Sequence, residues 1–175
     1  MNRYLVVVDM QNDFIDGALG TKEAREIVGN VENELKEFDG TVLFTRDTHY
    51  EDYMETQEGK KLPVPHCIKG EKGWEIWETL EKFRRDRNCL TFDKPSFGSV
   101  KLAEYFQKAN QENPIDEIEL IGLCTDICVI SNALLLKAFI PEVKISVKRS
   151  CCAGVTPESH EAAIISMGCC QVTIL

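Results

Sequence analysis

The chain has no apolar run long enough to span a bilayer, no cluster of basic residues interleaved with aromatics, and only three histidines in 175 residues. The first absence excludes a transmembrane helix, which needs about 20 consecutive apolar residues. The second, together with 20 Lys+Arg against 29 Asp+Glu and a formal charge of −9, argues against a nucleic-acid partner, because the phosphate backbone demands the opposite sign. No basic, apolar and small-residue succession opens the chain, so no secretory signal is expected. Internal repeats and low-complexity tracts are also missing, which sets aside repeat architectures.

What remains is an ordinary globular composition, 43% hydrophobic and 28% charged. The length is close to the roughly 150 residues of a typical domain, so one domain over residues 1–175 is expected. Such a chain buries enough surface to fold without disulfide staples. Eight cysteines lie in apolar segments, two pairs of them adjacent, Cys151-Cys152 and Cys169-Cys170. Adjacent cysteines suit small buried hydrophobes better than bridges, so a reducing, cytoplasmic setting is expected.

Short β-branched runs alternate with helical periodicity. Strands are expected at Leu5 to Val8, Thr41 to Thr45, Cys89 to Phe92, Ile118 to Leu123, Val143 to Val147 and Cys170 to Ile174. Ala24, Ile27, Val28, Val31, Leu35 and Phe38 recur at helical spacing, with Gly40 as a left-handed cap. Trp74, Trp77, Leu80 and Phe83 predict a second helix, and Leu102, Phe106 and Ala109 a third. The segment from Ile127 to Phe139 predicts a buried helix capped by Thr125, and Thr156-Pro157 opens a last helix that Gly168 closes. Six strands joined by crossover-length segments predict a three-layer α/β/α sandwich around a mainly parallel, Rossmann-like sheet. The stretch from Asp47 to Gly73 is irregular and long, which in a compact domain points to function.

Ligands of open parallel sheets bind outside the carboxyl ends of the strands. There the sequence places Asp9, then Asp47 and His49, then Lys94, then Cys124 to Cys128. Four strands thus deliver an acid, a metal-capable pair, a base and a thiol to one edge. At the start of a helix, Cys128 would meet free backbone N–H groups and the positive dipole end, which favour a thiolate. An ammonium from Lys94 would favour the ionised forms of both the thiol and the Asp9 carboxyl. Taken singly, each residue also fits a structural role: a core cysteine, a solvated acid, an exposed lysine. Two imidazoles and a carboxylate, His49, His66 and Asp47, suit a catalytic Zn, Mn or Fe ion with open positions, and Glu58 or Cys67 could add a ligand. Cys124-x-x-x-Cys128 lacks a second pair and does not read as a structural zinc site. His160 reads as a structural histidine.

Five motifs, in order, resemble the isochorismatase-like cysteine hydrolases, the superfamily that holds nicotinamidases, N-carbamoylsarcosine amidohydrolase and isochorismatases. They are Asp9-Met10-Gln11-Asn12-Asp13-Phe14, Arg46-Asp47-Thr48-His49, Pro65-His66-Cys67-Ile68-Lys69-Gly70, Lys94-Pro95-Ser96-Phe97 and Gly122-Leu123-Cys124-Thr125-Asp126-Ile127-Cys128-Val129. The resemblance implies a catalytic triad of Asp9, Lys94 and Cys128, and a divalent ion, zinc first, on Asp47, His49 and His66. It also implies an oxyanion hole from the backbone N–H groups of Cys124 and Cys128, a cis peptide bond between Leu123 and Cys124, and Phe14 as one wall of the substrate pocket. The activity implied is hydrolysis of a small carboxamide, nicotinamide foremost. A ureido or other small amide, or a non-catalytic assembly module, remains as an alternative, and a homo-oligomer is expected. The chain departs from the nicotinamidase pattern in its shorter segment after Lys94 and in Pro63, which stands where an aromatic is usual.

Overall fold

A computed structural model describes all 175 residues. Strand β1 (Arg3–Val8) shows how the sequence sets the layers: Leu5 and Val7 point to one face of the sheet and Val6 and Val8 to the other, and all four are fully buried. Five further strands follow, β2 (Thr41–Asp47), β3 (Thr91–Lys94), β4 (Glu117–Leu123), β5 (Lys144–Ala153) and β6 (Thr173–Ile174). They form one all-parallel sheet in the order β3-β2-β1-β4-β5-β6, as the α/β reading requires.

Helix α1 (Asn12–Ile15) is a single turn, and α2 (Lys22–Glu37) packs Ala24, Ile27, Val31 and Leu35 on Leu5 and Val7. After a short α3 (Gln57–Lys61), α4 (Glu78–Asp86) adds Leu80 to the same layer. Helices α5 (Val100–Glu112), α6 (Ile130–Phe139) and α7 (Pro157–Cys169) cover the other face through Leu102, Phe106, Ala133, Leu136, Ile164 and Met167. No helix is long and apolar enough to cross a membrane.

Several boundaries differ from those expected. Strand β3 starts at Thr91, because Cys89 still donates to the Arg84 carbonyl, and pairing begins where Thr91 meets Phe44. Strand β5 continues past Val147 through an irregularity opposite Leu120 to Gly122, which carries Cys151 and Cys152 into the sheet. Gly168 does not end α7, which runs through Cys169 and leaves only Thr173 and Ile174 for β6; the left-handed residue there is Gln171. Nor is Gly40 a left-handed cap. Helix α2 ends at Glu37, and Gly40 is needed because a Cβ there would lie 2.5 Å from the Arg3 carbonyl oxygen. Trp74 belongs to a separate 3-10 turn, with Trp77 as the cap of α4. All eight cysteines are unpaired, yet Cys169 and Cys170 are exposed, at the C-terminal end of α7 rather than in the core. The Thr156-Pro157 start is as expected, completed by a reciprocal bond with Ser159.

Candidate active site

The sheet order reverses direction between β1 and β4, and that is where the chemistry-bearing residues meet. Asp9 directly follows β1, Asp47 and Lys94 are the last residues of β2 and β3 and pair with each other in register, and Cys124 follows β4. Close approach at the junction needs Gly122: its φ is 116°, and a Cβ would sit 2.1 Å from the Val8 carbonyl oxygen. Beyond it the Leu123–Cys124 peptide is cis, and the chain enters a π-helical turn (Thr125–Val129) leading into α6. Cys124, not Thr125, is the capping residue, so Cys128 is the fourth residue of that turn. The Thr125 hydroxyl instead shares a 2.8 Å hydrogen bond with His160 Nδ1.

Lys94 is the hub of a buried cluster. Its Nζ lies 2.6 Å from Asp9 Oδ2, 3.3 Å from Asp47 Oδ1 and 3.4 Å from Cys128 Sγ, and it donates to the Ser96 carbonyl at 3.1 Å. The side chain is only 1% exposed. Burial by itself would lower the lysine pKa, but the Asp9 and Asp47 carboxylates outweigh it and favour the charged ammonium. Asp9 Oδ1 accepts from the Thr45 hydroxyl at 2.6 Å, whereas Oδ2 has no partner besides the Lys94 ammonium. Burial raises the Asp9 pKa, with Asp47 adding to it and Lys94 opposing it. Burial also pushes the Cys128 thiol well above its ordinary range, with Asp9 adding to the rise and Lys94 opposing it. Desolvation thus opposes the thiolate that a helix start would favour, and the Asp9 carboxyl lies in the same buried cluster.

A second cluster lies in the same cavity. One nitrogen each of His49 and His66 and one carboxylate oxygen each of Asp47 and Glu58 all fall within 4.8 Å of one another. Adjacent pairs are 2.9 to 3.7 Å apart. Ligands about 2.0 to 2.1 Å from a tetrahedral ion are about 3.3 Å from each other, so the donor set fits a zinc-sized dication. His66 Nδ1 lies 2.8 Å from the Val64 carbonyl, where an N–H must sit, so in the neutral imidazole it is Nε2 whose lone pair faces the centre. Gln11 fixes Asp47 by bonding both its N–H and its carbonyl, at 2.7 and 2.8 Å. Tyr53 packs against both imidazoles, 4.8 and 5.1 Å between ring centres. Cys67, weighed as a ligand, is turned into the core and stands outside the set.

The cavity holds about 430 Å³. Cys128 and Cys124 line it on one side and Asp47, Glu58 and His66 on another, with Phe14, Leu19, Leu62, Phe97 and Ile127 as apolar walls. Phe14 is where the sequence placed it, and Pro63 is exposed and outside the lining. The backbone N–H of Cys124 makes no hydrogen bond within the protein. Sequence reasoning missed Gln11, Thr45, Tyr53, Phe97 and Asn132. Gln11 and Phe97 lie within the motifs without a role read for them, and Asn132 carried a signal as a lone amide in the apolar stretch from Ile127 to Phe139.

A parallel α/β sheet that brings a carboxylate, an ammonium, a thiol and a two-histidine cluster to one cavity defines the isochorismatase-like α/β hydrolase class. Comparison narrows this further: the family model described as the isochorismatase domain matches residues 3–175, and the chain belongs to that family. An uncharacterised isochorismatase family protein of Bacillus subtilis (strain 168) is 30% identical over 94% of this chain and 93% of its own. The nicotinamidase of Saccharomyces cerevisiae is 25% identical over 74% of this chain and 79% of its own. Among solved structures, N-carbamoylsarcosine amidase from Thermoplasma acidophilum superposes with a TM-score of 0.77 at 28% identity, covering 99% of this chain and 95% of that one. Pyrazinamidase of Pyrococcus horikoshii, in complex with zinc, shares the fold at a TM-score of 0.78 and 23% identity, covering 100% and 99%. The family thus includes amidohydrolases, which act on C–N bonds.

Proposed function

We propose that the whole chain acts as one cysteine amidohydrolase domain that converts a small carboxamide to its acid and ammonia, with nicotinamide as the leading substrate. The observation that carries this reading is the placement of Lys94 Nζ between Asp9 Oδ2 and Cys128 Sγ, at 2.6 and 3.4 Å, with Cys128 lining the cavity. Asp9 takes the thiol proton as the sulfur attacks the carbonyl carbon, and Lys94 compensates the negative charge passing between them. The tetrahedral oxygen is received by the backbone N–H groups of Cys124 and Cys128, where losing one donor costs about 3 kcal/mol in barrier. Collapse breaks the C–N bond, Asp9 returns its proton to the departing ammonia, and water activated by Asp9 cleaves the thioester.

Asp47, His49, His66 and Glu58 would hold a divalent ion, zinc by ligand type. When bound, that ion supplies a Lewis-acidic anchor for a heteroatom of the substrate. Phe14 and Phe97 provide apolar faces for a flat ring, and the cavity of about 430 Å³ suits a molecule of that size. A cytoplasmic setting and a homo-oligomeric assembly belong to the same proposal; eight unpaired cysteines support the former.

The second reading is a hydrolase of a ureido or other small amide, favoured by the likeness to an N-carbamoylsarcosine amidase and by Lys61, a cation without an ion-pair partner on the cavity lining. An ammonia-release assay over nicotinamide, pyrazinamide and N-carbamoyl amino acids, on protein supplied with zinc, separates the two. Release from nicotinamide alone supports the first and release from the carbamoyl compounds the second. No ammonia from any of them would leave the non-catalytic module.

A further inference from the structure

Asn132 lies one helical turn after Cys128, 1% exposed, on a helix whose other buried residues are apolar. Its side chain makes three hydrogen bonds. Nδ2 donates to the Cys128 carbonyl at 2.8 Å and to the Phe97 carbonyl at 3.1 Å, and Oδ1 accepts from the Ser99 N–H at 2.9 Å. The first bond holds the backbone of the nucleophile turn, and the other two hold the segment after Lys94.

That segment needs a tether. Strand β3 is a four-residue edge strand, and Pro95, Ser96 and Phe97 are exposed and without regular structure. Within it, Ser96 supplies the carbonyl that receives Lys94 Nζ, and Phe97 forms a wall of the cavity. Gly98 lies against α6, with the Ser131 carbonyl oxygen 3.5 Å from where its Cβ would be. Asn132 spans this seam, and all its bonds are directed from one rigid, buried point.

We infer that Asn132 is a positioning residue that clamps the Lys94–Ser99 segment to the nucleophile turn, and so sets the separation of Lys94 from Cys128 and the place of the Phe97 wall. This rests on the amidohydrolase reading for its kinetic consequence, though not for its effect on the thiol. Misplacement by about 1 Å at a reacting centre costs on the order of 100-fold.

The test compares Asn132→Ala and Asn132→Thr with wild type. Threonine in a helix reaches back to the carbonyl four residues earlier, here Cys128, but reaches neither Phe97 nor Ser99. Two readouts are taken below the melting transition of each variant: kcat and KM on the best amide of the panel, and the rate at which iodoacetamide alkylates Cys128, followed by peptide mass spectrometry. Both variants should lose about 10- to 100-fold in kcat, with KM changed less than about threefold. Alkylation should slow about fivefold or more as the ammonium moves away from the sulfur. Wild-type kcat and alkylation in Asn132→Thr would overturn the clamp, as would the same result in Asn132→Ala. Should wild type hydrolyse no amide, the amidohydrolase reading fails on its own, and alkylation still decides the clamp. If Asn132→Ala does not fold, Asn132→Thr decides.

Discussion

Replacing Lys94 with methionine keeps most of the buried stem and removes one charge. Asp9 then loses the only cation within reach: Oδ2, 2.6 Å from the ammonium, has no other partner. Breaking a buried ion pair from one side costs about 3 to 5 kcal/mol. In a chain of this length 1 kcal/mol moves Tm by about 2 to 4 °C, so a drop on the order of 10 °C is expected. Asp9 can recover part of the cost by taking up a proton. Its pKa, already raised by burial, rises further without the lysine. A carboxyl whose folded pKa lies above its unfolded value favours the fold below the unfolded pKa and loses that advantage as pH rises through the folded one. The deficit of the variant should therefore be larger in mildly alkaline than in mildly acidic buffer. Hydrolysis should fall by about 100- to 10,000-fold, since a protonated Asp9 is no base.

The decisive control is Asp9→Asn combined with Lys94→Met, measured by urea unfolding followed through Trp74 and Trp77 fluorescence. With both charges gone, Asp47 alone has lost an ionic contact and it keeps its two histidine partners, so the double variant should be more stable than Lys94→Met alone although it carries one more substitution. Stability losses that simply add, to within about 0.5 kcal/mol, would refute the assignment of Lys94 and Asp9 as a mutually dependent pair.

Cys128→Ala should abolish ammonia release while its circular dichroism stays native and its stability falls by less than about 2 kcal/mol; Cys124→Ala should keep turnover, because its proposed role is a backbone one. Purified protein should carry up to one divalent ion per chain by elemental analysis, retained by wild type and lost from the His49→Ala/His66→Ala variant, and chelation should lower activity; undiminished metal in that variant would refute the site. Burial lowers the pKa of His160 from its ordinary 6.5, with Glu161 and Asp126 opposing and Arg149 adding to the shift. The folded state therefore binds a proton less readily than the unfolded one, and stability should decline as pH falls below about 6.5. His160→Gln should flatten that decline, and an unchanged slope of urea midpoint against pH would count against it.

The legible parts of the fold were those in which one period ran uninterrupted. The unbroken apolar run from Leu5 to Val8 gives β1, and the 3.6-residue spacing from Ala24 to Leu35 gives α2, because burial of apolar side chains stabilises both more than any local preference does. Boundaries failed where the backbone, not burial, decided. Gly168 looks like a helix stop, yet nothing crowds it and α7 runs on, with Gln171 taking the positive φ of 66°. At the site, residues at strand ends were visible because a parallel sheet collects them at one edge. Tyr53 and Phe97 come from short irregular stretches whose path no local pattern fixes, so their meeting with His66 or Cys128 was not visible, and Glu58 could be weighed as a ligand only alongside Cys67, with no spacing to choose between them. Desolvation of Cys128 was not visible, because a helix start can be seen in sequence whereas complete burial cannot.

The two clusters are one electrostatic unit, and Asp47 is the reason. Its Oδ1 faces the Lys94 ammonium at 3.3 Å, while Oδ2 faces His49 at 2.9 Å and His66 at 3.5 Å. Lys94 thus stands between two buried carboxylates, Asp9 and Asp47, and one ammonium cannot neutralise both. A dication held by Asp47, His49, His66 and Glu58 would draw the Asp47 charge toward itself and leave the ammonium to Asp9 and the thiol. Because like charges in a buried site raise one another's pKa, an Asp47 committed to the metal side would oppose the rise in the Asp9 pKa and so suit Asp9 to the acid–base role proposed for it. Gln11 serves the same end by bonding both backbone groups of Asp47, so that its two oxygens stay turned to different partners. The sequence separates Asp9, Asp47 and Lys94 by dozens of residues, but three adjacent parallel strands ending at one level bring them within a few ångströms, and the chemistry of each is set by the others.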